Sequence, residues 1–226
     1  MPRKPPQASS SDAGGAYASP PCFLHDPDAD QGGLQGGADP VQARDVARWR
    51  KAERQRLLAA RAALPVATRQ AAAEVIARRL DQILGDISGK VISAWWPIRA
   101  ELNLRPWLAT LAARGAVAAL PLVVEKAAPL HFRAWTPGAR MERGFWNIPV
   151  PAEGGWLIPD IALAPVVGHD LLGYRLGYGG GYFDRTLAQL GPACMPIGIG
   201  LSSSLIDTIF PQPHDIRMQR IITEVG

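Results

Sequence analysis

Along the first third of the chain apolar residues return every three or four positions, whereas beyond about residue 90 they gather into short, nearly continuous runs. The first pattern predicts helices. Asp39-Pro40 reads as an N-cap followed by proline at the first helical position, with Gln42 placed to complete a capping box, so a helix is expected over roughly 40–62. A second is expected from near Pro65, with Ala72, Val75, Ile76, Leu80, Ile83 and Leu84 on one face and Arg69, Arg78 and Asp81 on the other. The second pattern predicts strands: Val91 to Trp96, Ala116 to Val124, Leu130 to Trp135, Ile161 to Val167 and Pro196 to Leu201, bounded by Gly and Pro and apolar enough to be covered on both faces. Between them, Leu104 to Arg114 reads as a helix ended by Gly115, and Gly181 to Leu190 as one ended by Gly191. Strands alternating with helices predict an α/β fold, a three-layer αβα arrangement around a largely parallel sheet.

Composition then divides the chain. Residues 1–38 hold three Gly-Gly pairs, a serine run and scattered prolines with few branched apolar residues, so they cannot repay the entropy of ordering and are expected to be a disordered extension. The patch Tyr17, Cys22, Phe23 and Leu24 is the piece of it suited to docking on the domain. Residues 39–226 are expected to form a single domain, consistent with 226 residues of which 47% are hydrophobic. Cys22 and Cys194 lie far apart and in no metal-ligand spacing, which argues against a disulfide framework or zinc site. No apolar run approaches the length of a membrane span. The expectation is a cytoplasmic, soluble monomer with neither membrane nor nucleic acid as a partner. A net charge of +4 suits an anionic ligand without choosing among polyanions.

The segment from Gly173 to Arg185 carries the sharpest chemical signal. Five glycines in nine positions, Gly173 to Gly181, are costly to order unless backbone N–H groups must approach a ligand closely, as they do around phosphate at a helix N-terminus. Neither the Gly-Lys-Ser/Thr ending of the common phosphate loop nor the dinucleotide spacing is present. Arg175 adds a fixed cation and Asp184 a hard oxygen ligand suited to Mg²⁺.

The run Arg175-Leu176-Gly177-Tyr178-Gly179-Gly180-Gly181-Tyr182-Phe183-Asp184-Arg185 resembles the signature loop of the 5-formyltetrahydrofolate cyclo-ligase family. Other segments agree in order: the basic helix around Trp49 to Arg56 with Arg61 and Leu64, the stretch Trp95 to Leu102, Trp146-Asn147-Ile148-Pro149, and Pro213-His214-Asp215 followed by Ile222-Thr223-Glu224. The resemblance spans roughly 45–226 and implies a fold similar to the NagB/RpiA/CoA-transferase-like fold. It implies that Arg50, Lys51 and Arg54 bind ATP together with Arg175, Leu176, Gly177, Tyr178, Gly179, Gly180, Gly181, Tyr182 and Phe183. The folate substrate is implied to contact Trp96, Glu101, Trp146, Tyr178 and Tyr182. Mg²⁺ falls to Asp184 and Asp215, and Arg175 and Glu101 are the implied catalytic residues. One departure is that Arg50 stands where the family usually has lysine, with Lys51 beside it, which changes reach and geometry.

The implied activity is ATP-dependent cyclisation of 5-formyltetrahydrofolate to 5,10-methenyltetrahydrofolate through phosphorylation of the formyl oxygen. Such chemistry needs positioning and charge neutralisation more than a nucleophilic side chain, in keeping with a sequence that offers no convincing Ser/His/Asp or Cys/His constellation. Two alternatives stay open from sequence: a cyclo-ligase-like paralogue acting on another substrate, and an RNA-binding module using the arginine-rich first helix. The second leaves the glycine loop unexplained and lacks aromatics interleaved with the basic residues.

Overall fold

The computed structural model describes residues 40–226; the expectations for residues 1–38 and for an Asp39 cap lie outside that range. Two long helices come first, α1 (Pro40–Ala63) and α2 (Val66–Leu84). They are followed by β1 (Val91–Ser93), a single turn α3 (Arg105–Leu108), β2 (Val117–Leu122) and β3 (His131–Ala134). Then come β4 (Met141–Arg143), β5 (Pro149–Pro151), β6 (Trp156–Leu157) and β7 (Ile161–Pro165). The chain closes with β8 (Gly168–His169), β9 (Arg175–Leu176), α4 (Tyr182–Leu190), β10 (Met195–Ile199) and β11 (Arg220–Ile222).

Seven strands form one sheet in the order β11-β10-β7-β1-β2-β3-β6. The first five are mutually parallel, while β3 and β6 extend the edge in antiparallel fashion. Successive side chains point to opposite faces, and the burial follows: Ile161 and Leu163 pack with α2 residues Ala72, Ile76 and Leu80, whereas Ala162 and Ala164 pack with Leu187 of α4. Helices on both faces of a mostly parallel sheet make the three-layer αβα arrangement expected from the sequence.

Several expectations change in detail. The run Leu104 to Arg114 is not one helix: α3 stops after a turn and a 3-10 turn at Ala112–Arg114 follows, ended by Gly115 at φ 75°. The Leu130 to Trp135 run is a strand but antiparallel, because it returns from β2 by a short loop and not through a crossover. In α2, Ala72, Ile76 and Leu80 are buried as the spacing predicts, while Ala73 is buried in addition and Ile83 is 39% exposed. The strand β11 and the hairpins β4–β5 and β8–β9 escaped the pattern, being two or three residues long.

Candidate active site

Reading outward from β1, the chain continues to β2 on one side, while β7 and then β10 and β11 lie on the other. The strand order therefore switches between β1 and β7. Open α/β sheets bind ligands beyond the carboxyl ends of their strands at such a switch point. The segments leaving β1, β2 and β7 line a cleft there of about 1340 Å³ including its open mouth, and α1 crosses one side of it.

Arg50, Arg54, Leu57 and Arg61 recur at four, three and four residues and so form one stripe of α1 facing inward. Arg50 is buried: Nε donates to the Ile209 carbonyl at 2.9 Å, Nη2 to that of Phe210 at 2.9 Å, and the same guanidinium pairs with Asp215. Arg54 lies over the glycine loop, close enough that a Cβ added to Gly179 would stand 3.5 Å from its Cζ. Leu57 anchors the stripe among Val167, Leu176 and Ile209. Lys51 points elsewhere, exposed and outside the cleft lining.

The hairpin β8–β9 delivers Arg175 and Leu176 to the start of the glycine loop. Leu176 is buried in the cluster with Leu57 of α1. Arg175, also buried, donates through Nη1 to Asp184 Oδ1 at 3.0 Å, and that oxygen accepts the Ile216 amide at 3.1 Å. Gly179 takes φ 102° and Gly181 φ 62°, conformations that side-chain-bearing residues rarely adopt. Gly181 leads into α4 with no side-chain cap, leaving the first amides of that helix facing the cleft.

Glu101 is 8% exposed, and both its oxygens are engaged. Oε2 accepts the Ile98 amide and Oε1 accepts the Tyr178 hydroxyl, each at 2.8 Å. Burial pushes its carboxyl above the usual range, although the Ile98 amide, the Arg61 charge and the Tyr178 hydroxyl pull the other way. The Tyr178 hydroxyl in turn accepts a hydrogen bond from Arg61 Nη2 at 2.6 Å. Burial, and then the neighbouring Glu101 carboxylate, push the Tyr178 phenol up, so it stays a neutral donor.

Aromatic rings close the far wall. Trp146 meets Tyr182 edge-on at 5.3 Å between centroids, with Phe145 behind it at 5.8 Å, and the Tyr182 hydroxyl accepts the Ala127 amide. Trp96 lines the cleft beneath the Arg105 guanidinium, 4.3 Å from its ring centroid. Apart from Lys51, every site residue expected from the sequence borders this one cleft. The sequence reading gave no role to Trp95 or Phe145 and did not connect Arg61 to Glu101; for Arg61 the usable signal was its place on the stripe with Arg50, Arg54 and Leu57.

Two carboxylates of the cleft, Asp184 and Asp215, each pair with a buried arginine, and among the described residues no group of three or more His, Cys, Asp or Glu could hold a metal by itself. Asp184 accepts the amide of Ile216, the residue after Asp215, so the two segments meet at the cleft. Mg²⁺ commonly takes one or two carboxylates with phosphate oxygens and waters completing its shell, and this donor set fits that habit.

The sequence profile of the 5-formyltetrahydrofolate cyclo-ligase family matches residues 46–224. A 5-formyltetrahydrofolate cyclo-ligase of Mycolicibacterium smegmatis is 32% identical over 179 residues, covering 74% of this chain and 89% of the relative. Among solved structures, the 5,10-methenyltetrahydrofolate synthetase of Aquifex aeolicus superposes with a TM-score of 0.68 at 26% identity, covering 78% of this chain and 90% of that one. The synthetase from Mycoplasma pneumoniae gives 0.64 at 26% identity, over 77% and 98%.

Proposed function

The chain belongs to the 5-formyltetrahydrofolate cyclo-ligase family, and from that premise we propose that its cleft closes 5-formyltetrahydrofolate into 5,10-methenyltetrahydrofolate at the expense of ATP. The observation that carries the reading is the meeting, in one cleft, of the glycine loop, the arginines of α1 and the buried Glu101. A formamide is a poor electrophile because its oxygen leaves badly. Transfer of the γ-phosphoryl group to the formyl oxygen makes that oxygen a leaving group and gives an iminium phosphate at N5. That transfer releases ADP; N10 then attacks the formyl carbon and gives up its proton, the C–O bond breaks, and phosphate departs to leave the methenyl bridge.

In this reading Arg54, Arg50, Arg175 and the amides of Gly177 to Phe183 hold the triphosphate and offset charge on the transferring group, the kind of preorganised stabilisation phosphoryl transfer depends on. Glu101 orients the pterin, with Trp96, Trp146 and Tyr182 as its apolar walls. Asp184 and Asp215 would hold Mg²⁺, which when bound supplies further neutralisation of the phosphates. Among the described residues no helix is long and apolar enough to cross a membrane. Arg50 and Arg61 are buried, which removes two of the cations on which an RNA-binding role for α1 would rest.

The test is absorbance in the methenyl-folate band after mixing the protein with 5-formyltetrahydrofolate, Mg²⁺ and ATP. A rise that requires ATP is expected; a flat trace from folded, ATP-binding protein would redirect the search to another substrate.

A further inference from the structure

Arg61 is a buried cation that the reaction as described does not use. It is 8% exposed, and it borders the small cavity behind Trp95 and Glu101 and does not line the main cleft. Burying a guanidinium is expensive unless its donors are satisfied by particular acceptors. Here a single nitrogen, Nη2, reaches two of them: the Arg99 carbonyl at 3.2 Å and the Tyr178 hydroxyl at 2.6 Å.

The first acceptor belongs to a turn under strain. Arg99 and Ala100 stand at φ 47° and 61°, consecutive non-glycine residues in the left-handed region, a conformation that persists only when its surroundings over-determine it. The turn is closed by Glu101 N–H to the Ile98 carbonyl at 2.9 Å and by the Ile98 amide to Glu101 Oε2 at 2.8 Å. The second acceptor, Tyr178, belongs to the glycine loop and donates to the other oxygen of Glu101 at 2.8 Å. Both oxygens of the carboxylate thus trace back to Arg61, one through the turn and one through the loop.

We propose that Arg61 is a positioning residue: holding the Arg99 carbonyl and the Tyr178 hydroxyl together, it fixes Glu101 in the cleft. This rests on the folate role of Glu101 proposed above. Arg61 does not line the cleft, so its loss is expected to act through Glu101. Nη2 stands one bond farther out along its side chain than a lysine ammonium would, so lysine at this position falls short of meeting both acceptors.

The experiment is a double-mutant cycle on steady-state methenyl formation with Arg61→Gln, Tyr178→Phe and the pair. Each single substitution is expected to lower kcat/KM for 5-formyltetrahydrofolate about tenfold, through KM for the folate, as loss of a hydrogen bond to a charged group does. KM for ATP should stay within about twofold. The double variant should be no worse than the more severe single one, because the second change removes a link already broken. Losses that multiply, or a KM for ATP rising in parallel with that for folate, would overturn the proposal and leave Arg61 a helix anchor. Should Arg61→Gln fail to accumulate folded, Arg61→Lys takes its place in the cycle. If the parent protein forms no methenyl product, the reaction assignment falls separately; the same cycle is then read from urea unfolding midpoints, where additive shifts count against the link.

Discussion

At the scale of single residues, the surroundings of Glu101 oppose one another: burial disfavours its charge while Ile98, Arg61 and Tyr178 favour it. The net shift is upward, so the folded state binds a proton more tightly than the unfolded chain. A carboxyl of this kind contributes stability that is full below its unfolded pKa, about 4.3 for glutamate, and is lost as pH rises through the folded value. Glu101→Gln carries no such dependence. Its thermal midpoint should therefore climb relative to the parent between pH 5 and pH 8 while methenyl formation falls; a midpoint difference that is flat across this range would mean that Glu101 is not a penalised buried charge. Which residues line the cleft was largely legible in the sequence, because Arg175 and the glycines sit in one unusual run and Glu101 follows an apolar strand. Their pairing was not. Nothing in the spacing says that Arg50 spends its donors on Ile209, Phe210 and Asp215, since those contacts join segments some 160 positions apart, and Lys51, one step round the helix from Arg50, reads as equally basic while facing solvent.

At the scale of elements, periodicity served well where an element was long. Helix α1 and the buried strands β2, β7 and β10 fall where the apolar pattern puts them, because burial of one face dictates the residue type at every turn or alternate position. It failed where an element has no such repeat to display: β8 and β9 hold two residues each, and the α3 region breaks after four. Yet β8–β9 is what aims the glycine loop. Within that loop Gly179, at φ 102°, gives a local prediction. Gly179→Ala forces a side chain into backbone space that costs on the order of 1 kcal/mol or more, and the loop can relax only by giving up its curvature. An ATP titration should show weaker binding with little change in the midpoint of the unliganded protein; undiminished ATP affinity would show that the curvature at 179 is dispensable.

At the scale of the whole molecule, the fold brings α1 from the N-terminal side and the Pro213–Ile216 segment from the C-terminal side onto one switch point, so both ends of the described chain are needed to build one cleft. The arrangement sets two arginines against two aspartates, Arg50 with Asp215 and Arg175 with Asp184. In the proposed reaction these same groups receive phosphate and Mg²⁺, and a ligand that engages one member of a pair strands the other in a largely buried place. ATP with Mg²⁺ should therefore raise the thermal midpoint by more than the sum of the shifts given by ATP with a chelator and by Mg²⁺ alone; simple additivity would mean that the pairs stay closed when ligand binds. In the proposed reaction the same arrangement makes the cleft an exchanger: both pairs give up their partners together, and admission goes to visitors whose charges arrive already matched. A basic chain can in this way sit among cellular polyanions without being clogged by them.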